Sequence, residues 1–221
     1  MRIRYLHLSA LLVGLAFGVS AHSQSRAPGW EFRADILYQN QKDVHTNKGS
    51  DINLDTGWGG SLGAAYRFNP FAEVHFLLDF ISVNYDGRFV SATTPNLAVN
   101  VTGGKVDITT PRVTGVFNFM DNPITPFVSA SIGWSFTHAT DPFSPTTVGC
   151  WWDPWWGYIC APVSGAYTND RFAYDIGAGV RWDISPTWGL RFAYEKHWVD
   201  LSGTAGTPNF DQFRIGFQFS Y

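Results

Sequence analysis

The sequence is poor in charge and has no long hydrophobic run after its first 21 residues. Only 15% of its 221 residues are Asp, Glu, Lys or Arg, against about 25% in ordinary soluble domains. A disordered chain would show the opposite balance, with many charges and few aromatic rings. A membrane-spanning helix needs about 20 consecutive apolar residues, and no later segment approaches that length. Disorder and a helical membrane protein are therefore both excluded.

The N-terminus is typical of a secretory signal peptide. Two arginines within the first four residues precede an apolar stretch at residues 8–19, which small residues follow. This core of about 12 residues is too short for a membrane anchor. Cleavage after Ala21 and cleavage after Ser23 both fit the pattern. We therefore assign residues 1–21 to the signal and expect one mature domain at 22–221.

The charge balance gives no indication of nucleic-acid binding. The net charge is −3, and it becomes −5 when the two arginines of the signal are removed. A protein that binds nucleic acid usually carries a basic stripe, and this sequence shows none.

Cysteine is scarce, since only Cys150 and Cys160 are present. In an exported protein two cysteines at this spacing favour a disulfide. A metal site would need additional His or Cys ligands nearby, and the segment between them has none. We therefore predict a Cys150–Cys160 disulfide, no metal site and no cofactor.

Apolar residues alternate with polar or small ones from Trp30 onward, and this period of two predicts β-strands. Eight such segments occur, and no stretch shows a comparable helical period. They begin near Trp30, Trp58, Val74, Val106, Val128, Phe172, Trp188 and Phe213.

The fourth segment is irregular. Val106 and Ile108 are out of phase with Val113 and Phe117, and Pro111 lies between the two pairs. A β-bulge at residues 109–111 would restore the phase, and we predict one there.

Short and long connections alternate along the chain. The short turns lie at residues 69–70, 120–124 and 185–186, and the long connections at about 41–53, 86–103, 139–168 and 199–209. Short turns on one side and long loops on the other are typical of outer-membrane barrels. The predicted fold is an all-β, eight-stranded antiparallel transmembrane β-barrel.

Apart from Lys196, the charged residues of the strands occupy the faces opposite the apolar ones, and acids and arginines are nearly balanced. The interior of an eight-stranded barrel is just wide enough for side chains to fill it, and buried charges must pair. We predict interior ion pairs among Glu31, Arg33, Asp35, Arg67, Glu73, Asp79, Arg112, Arg171, Asp175, Arg181, Asp183, Arg191, Glu195 and Arg214. The small inward residues, such as Gly133, could leave water pockets or make room for the arginines.

Aromatic residues cluster near both ends of the strands, as in the girdles at membrane interfaces. Lys196 interrupts the apolar face between Tyr194 and Trp198. It could reach lipopolysaccharide phosphates, or it could mark a strand that has already left the membrane.

Three segments resemble the small outer-membrane β-barrel family that includes opacity-type porins and the barrel of outer-membrane protein A. They are residues 171–194, residues 125–134 and the end of the chain, where Phe217, Phe219 and Tyr221 resemble the signal read by the barrel assembly machinery. The resemblance implies a bacterial outer-membrane location, contact with outer-membrane lipid and lipopolysaccharide, and interaction with that machinery during biogenesis. The family contains adhesins, structural barrels and narrow pores, so the resemblance leaves the activity open.

The segment between the cysteines is rich in aromatic rings, with Trp151, Trp152, Trp155, Trp156 and Tyr158. One interpretation is a rigid platform for an extracellular ligand, since Trp and Tyr dominate binding hot spots. The other is a loop that packs its own rings onto the barrel mouth, because exposed apolar patches are costly.

Catalytic patterns are weak in this sequence. Residues 59–63 match the nucleophile elbow G-x-S-x-G but lie within a predicted strand, where that motif does not function. Some outer-membrane barrels modify lipids with a His–carboxylate pair and a Ser. The pairs that could act in this way are His75 with Asp79 and Glu195 with His197, together with Ser135 and His138.

We predict that the protein is not an enzyme. Its expected role is structural or surface-interacting, with recognition by the extracellular loops. A narrow pore for small solutes is the alternative, and a lipid A-modifying enzyme is the third hypothesis.

Overall fold

The computed structural model describes residues 26–45, 49–90, 98–140, 148–155, 157–162, 166–201 and 207–220. The predicted signal peptide lies outside these residues. The strands in chain order are β1 (Gly29–Gln39), β2 (Lys42–His45), β3 (Asp51–Leu54), β4 (Gly57–Arg67), β5 (Ala72–Val90), β6 (Ala98–Asn118), β7 (Ile124–Thr140), β8 (Val148–Asp153), β9 (Gly157–Pro162), β10 (Ala166–Asp183), β11 (Trp188–Val199) and β12 (Asn209–Ser220).

Eight of these strands form a closed antiparallel barrel. They neighbour one another in the order β5, β4, β1, β12, β11, β10, β7 and β6, and β6 pairs back onto β5. The prediction of an eight-stranded antiparallel barrel is confirmed. None of the described residues forms a helix long and apolar enough to cross a membrane.

Two further hairpins lie in the long connections. Strands β2 and β3 pair with each other, and β3 continues the sheet along the outer part of β5. Strands β8 and β9 form a separate two-stranded sheet. The loop predicted at 86–103 is shorter than expected, because β5 and β6 remain paired up to Val90 and Ala98.

Alternation along each strand sorts side chains between the lumen and the lipid. In β1 the side chains of Glu31 and Asp35 are buried inside, whereas Trp30 and Phe32 are more than half exposed on the outer face. Such an alternation buries the polar residues within the protein and leaves the apolar ones to the bilayer.

The bulge predicted at residues 109–111 of β6 was wrong. The pairing of β6 with β7 keeps one register on both sides of Pro111, although the ladder is interrupted there, because proline has no N–H to donate. The register shift lies instead between Tyr85 and Gly87, where β5 pairs with β6. Val106 and Ile108 keep their phase and face the lumen, so the assumption that apolar residues always face lipid was wrong here.

Ring contacts on six of the eight barrel strands mark the loop end of the outer face. One part joins Trp58 to Tyr38, Tyr38 to Phe213 and Phe213 to Tyr194, with ring centroids 4.9, 6.3 and 5.3 Å apart. The other part runs through four rings on the neighbouring strands, Trp198, Tyr174, Phe172 and Trp134. We call these eight residues the extracellular belt, because aromatic girdles mark the membrane interface.

Candidate functional site

The lumen contains two groups of charged side chains. The group nearer the short turns is centred on Arg181, whose Nη2 lies 2.7 Å from Glu31 Oε1 and whose Nη1 lies 2.5 Å from Glu73 Oε1. Arg67 Nη2 lies 3.2 Å from the same Glu31 oxygen, and Arg191 also contacts Glu73. All of these side chains are buried. Opposite charges drawn from both halves of the chain therefore meet inside the barrel.

The second group lies deeper in the barrel and is centred on Arg112. Its guanidinium lies 3.1 Å from Asp79, 2.7 Å from Asp175 and 2.9 Å from Glu195. Arg214 shares two of these acids, at 2.7 Å from Asp79 and 3.3 Å from Glu195. The five residues form a continuous layer across the lumen.

Arg33 and His75 connect the two layers. Arg33 Nη2 donates to Asp35 Oδ1 at 3.0 Å, and Asp35 in turn accepts from Arg214 at 2.8 Å. Arg33 Nη1 also contacts His75 Nδ1, and His75 Nε2 lies 2.9 Å from Glu73 Oε2. Because a guanidinium can only donate, Nδ1 accepts and Nε2 carries the proton. His75 is therefore a neutral bridge between the layers.

Small residues make room for these charges. A Cβ atom on Gly216 would lie 2.2 Å from Asp35 Oδ1, and one on Gly133 would lie 2.8 Å from Arg112 Cβ. At these two positions the glycines accommodate the ion-paired side chains.

Arg171 was predicted to form an interior ion pair, and this prediction was wrong. Within the described part of the chain it contacts no carboxylate, and its Nη2 donates to the carbonyl of Trp155 at 3.1 Å. Its position near the outer end of β10 places it beyond both charged layers. It holds the β8–β9 hairpin rather than the barrel interior.

An apolar layer fills the loop end of the lumen. Its side chains are buried and come from most of the barrel strands and from both extra hairpins: Leu37, Val44, Ile52, Leu54, Ile81, Val83, Tyr85, Phe89, Val101, Val106, Ala139, Trp155, Ala173, Val199, Leu201 and Phe210. Between this layer and Asp79 lies a cavity with about 20 Å³ of space for water. That space holds about one water molecule.

The predicted disulfide between Cys150 and Cys160 is confirmed, and it joins directly opposite residues of β8 and β9. At the tip of this hairpin, Trp155 turns into the barrel, where only 3% of it is exposed, and stacks on Phe210. Of the two interpretations of this segment, Trp155 follows the one in which a ring packs onto the barrel mouth, and its place among the candidate surface-binding residues is corrected.

The rest of the hairpin is arranged differently. Trp152 and Tyr158 form a ring pair with centroids 5.3 Å apart, and Tyr158 is 51% exposed. The side chain of Trp151 and the whole of Trp156 lie outside the described residues. The hairpin thus has a buried tip and a pair of rings on its exposed part.

The turn end of the barrel is covered by Arg26. Its Nε donates to Asp183 at 2.7 Å, and Nη1 donates to the carbonyls of Met120 at 3.1 Å and Pro70 at 3.4 Å. Nη2 contacts the carbonyl of Asn122. No sequence signal distinguishes this arginine, since it precedes the first alternating segment.

The residues considered for catalysis do not form a site open to lipid. His75, Asp79, Glu195 and His197 are buried in the lumen, as is Ser135. His138 is exposed on the opposite face of β7 from Ser135. Among the described residues no group of His, Cys, Asp and Glu could hold a metal ion.

The end of β12 carries the predicted assembly signal. Phe217 is exposed on the lipid face, Phe219 packs against Trp188 at 4.9 Å, and Tyr221 lies outside the described residues. Reading of these residues by the assembly machinery remains a prediction.

Comparison with known proteins identifies the family. A model described as the outer membrane protein beta-barrel domain matches residues 9–220. The fold is similar to Neisserial surface protein A, with a TM-score of 0.54 at 12% identity, covering 87% of this chain and 97% of that one. It is also similar to OprG from Pseudomonas aeruginosa, with a TM-score of 0.53 at 11% identity, covering 90% and 98%. No curated protein sequence matches. The chain belongs to the outer membrane protein β-barrel domain family, and it is a protein of the bacterial outer membrane.

Proposed function

We propose that this barrel is a non-conducting surface protein that acts through its extracellular loops. The observation that carries this proposal is the occupied lumen, in which two charged layers lie below an apolar layer capped by Trp155. A pore needs a continuous water path. Among the described residues, the cavity between the apolar layer and Asp79 has space for about one water molecule, which favours a closed barrel.

The β8–β9 hairpin is the part of the surface best suited to recognition. Its disulfide joins its two strands, and the burial of Trp155 together with the hydrogen bond from Arg171 to the Trp155 carbonyl fixes its tip to the barrel. A fixed hairpin offers Trp152 and Tyr158 to a partner at little entropic cost, because their rings are already ordered. Rings of this kind stack on the apolar faces of sugars and on other aromatic groups.

The geometry argues against a lipid-modifying enzyme. A lipid in the surrounding bilayer reaches only the outer face, which His138 shares, whereas Ser135, the other two histidines and the acids that would have to act with it point into the lumen. We therefore propose that the protein has no such activity, and that its expression leaves the mass spectrum of lipid A unchanged. A new lipid A species that depends on His75 would contradict this.

Planar-bilayer recording tests the closed lumen. The purified, folded protein is expected to give no steady discrete openings, whereas a narrow pore would give openings that are blocked when the lumen is filled. Steady discrete openings of the wild-type protein would support the pore and overturn the closed-barrel proposal.

Recognition by the hairpin is tested separately. Cells that display the protein are applied to immobilised neutral and anionic oligosaccharides, and the double variant Trp152→Ala/Tyr158→Ala is compared with Phe80→Ala on the lipid face. Binding that only the hairpin variant loses supports the proposal. Binding to none of these sugars, or binding that both variants retain, contradicts a carbohydrate role for the ring pair.

A further inference from the structure

Four strands continue beyond the membrane on one side of the barrel. They are β2, β3, residues 82–88 of β5 and residues 100–107 of β6, which lie side by side, and we call them the extracellular wall. Phe80 is the last lipid-facing ring on β5, and Asp86 lies six positions further along the same strand face. Six residues of a strand tilted by about 40° rise by about 15 Å, whereas the headgroup region is roughly 5 to 8 Å thick. The extracellular wall is therefore accessible to soluble partners.

The two faces of the extracellular wall differ in polarity. Its inner face packs into the apolar layer through buried residues such as Val44, Ile52 and Tyr85. Lys42 shares the strand face of Val44, and its Nζ lies 3.5 Å from Asn209 Oδ1. The outer face is polar, and its charged or titratable side chains are Asp43, His45, Asp51, Asp55, Asp86, Arg88, Lys105 and Asp107.

Part of the charge on the outer face is paired. Asp51 Oδ1 lies 2.7 Å from His45 Nδ1, and Arg88 is the directly opposite neighbour of Asp51 on β5. Lys105 Nζ lies 3.2 Å from Asp107 Oδ1. The two cations of this face therefore lie beside two of its five aspartates, and the face has a negative excess.

The other three aspartates, Asp43, Asp55 and Asp86, form no ion pair within the described part of the chain. Asn53 lies on β3 directly between Asp43 and Asp86 and donates to Asp43 Oδ1 at 2.6 Å. The backbone N–H of Gly103 donates to Asp86 Oδ1 at 2.8 Å. These neutral donors orient the two carboxylates and leave their charge uncompensated. Since neighbouring strands lie about 4.8 Å apart, the two carboxylates are about 10 Å apart.

The barrel interior does not offset this negative excess. The net charge of −3 becomes −5 without the two arginines of the predicted signal. The lumen and the turn end hold equal numbers of arginines and acids, so the whole of that charge lies outside them. A negative surface attracts a cationic partner within about 8 Å at physiological salt and repels an anionic one. The cancelling residues are Arg26, Arg33, Arg67, Arg112, Arg181, Arg191 and Arg214 with Glu31, Asp35, Glu73, Asp79, Asp175, Asp183 and Glu195.

We propose that the outer face of the extracellular wall binds a basic, extended segment of a partner protein. In a polyproline II segment, residues three apart lie on the same side at about 9 Å, so two arginines at this spacing pair with Asp43 and Asp86 together. Because the face is polar, charge pairs and hydrogen bonds dominate the contact, which associates fast and weakens with salt. The packed inner face keeps the extracellular wall ordered and lowers the entropic cost of binding. The residues of this surface are different from the ring pair of the hairpin.

Fluorescence anisotropy tests the proposal with the folded protein in phosphatidylcholine nanodiscs, whose lipid has no net charge. The probe is a labelled peptide with arginine at every third position and proline between, and its glutamate counterpart is the negative control. Asp43→Asn/Asp86→Asn is expected to bind the arginine peptide about fivefold more weakly than the wild type. An asparagine oxygen still accepts the hydrogen bonds from Asn53 and Gly103, so the variant keeps its local structure. Asp200→Asn/Asp211→Asn, at the loop ends of β11 and β12, is the matched control with the same change in net charge, and it is expected to bind like the wild type.

Three outcomes overturn the proposal. The first is the absence of binding, or equal binding by the wild type and Asp43→Asn/Asp86→Asn. The second is an equal loss in the control variant, which would show a general attraction to negative charge. The third comes from calorimetry with Ca²⁺ alone, where binding that only Asp43→Asn/Asp86→Asn loses would identify a cation site. Heat-dependent migration in gels verifies that each variant is folded. None of these results bears on conductance or on sugar binding by the hairpin.

Discussion

The ring of Trp155 lies parallel to that of Phe210, with centroids 6.4 Å apart and an interplanar angle of 15°. This contact connects the tip of the disulfide hairpin to the beginning of β12. Both residues are buried, and both line the cavity above the charged layers. The tip of the hairpin is therefore packed as part of the barrel interior, whereas its two strands form a separate sheet.

Replacement of Trp155 should destabilise the protein substantially. Trp155→Ala removes a buried aromatic side chain from the apolar layer, and we expect the free energy of unfolding to fall by about 3 kcal/mol. Urea unfolding in lipid vesicles, followed by gel migration, measures the change. Tyr158→Ala on the same hairpin is the control, because this ring is half exposed and its loss should cost less than about 0.5 kcal/mol. Equal losses for the two variants would contradict the buried role of Trp155.

The disulfide should stabilise the hairpin and leave the barrel unaffected. Closing this short loop contributes about 2 to 3 kcal/mol through the entropy of the unfolded segment, whereas the barrel strands pair independently of it. In Cys150→Ser/Cys160→Ser we expect faster amide exchange at residues 148–162 and unchanged exchange in β1 and β12. Hydrogen-exchange mass spectrometry checks both regions. Faster exchange throughout the barrel would show that the disulfide supports the whole fold.

Arg112 should be costly to neutralise. Arg112→Met leaves Asp79, Asp175 and Glu195 with reduced compensation in a buried layer, and we expect a loss of about 3 to 5 kcal/mol. Arg88→Gln, at an exposed position on β5, should cost little. Urea unfolding in vesicles compares the two variants.

The same charge argument predicts a rescue. When Arg112→Met is combined with Asp175→Asn and Glu195→Gln, two of the uncompensated charges are removed, and part of the lost stability should return. A triple variant no more stable than Arg112→Met would mean that packing around the guanidinium, and not charge pairing, dominates its contribution.

The strands and their faces could be predicted from the sequence because alternation is a local signal. Trp30 and Phe32 face lipid and Glu31 faces the lumen wherever the neighbouring strands lie, since successive side chains point to opposite faces. Cys150 and Cys160 were similarly predictable, because export and the lack of other cysteines leave one pairing.

The layering of the lumen could not be predicted in the same way. Leu37, Val106 and Phe210 become one apolar layer only after the register of the strands is fixed, and a single alternating segment carries no information on register. The prediction of a bulge in β6 was wrong because Val106 and Ile108, which face the lumen, were taken to face the lipid. The insertion of Trp155 and the contact of Arg171 with its carbonyl depend on tertiary packing for which the sequence gives no signal.

Arg26 should order the short turns at one end of the barrel. Its guanidinium donates to Asp183 and to backbone carbonyls of two turns, at Pro70 and Met120. A planar guanidinium can donate hydrogen bonds to several such partners in fixed directions, whereas an ammonium group cannot. We therefore expect Arg26→Lys to resemble Arg26→Ala, with faster amide exchange at residues 68–71 and 119–123 and a loss of about 1 to 2 kcal/mol in stability. Arg88→Lys serves as the conservative control. If Arg26→Lys exchanges like the wild type, positive charge alone is sufficient, and the directed hydrogen bonds are not what orders the turns.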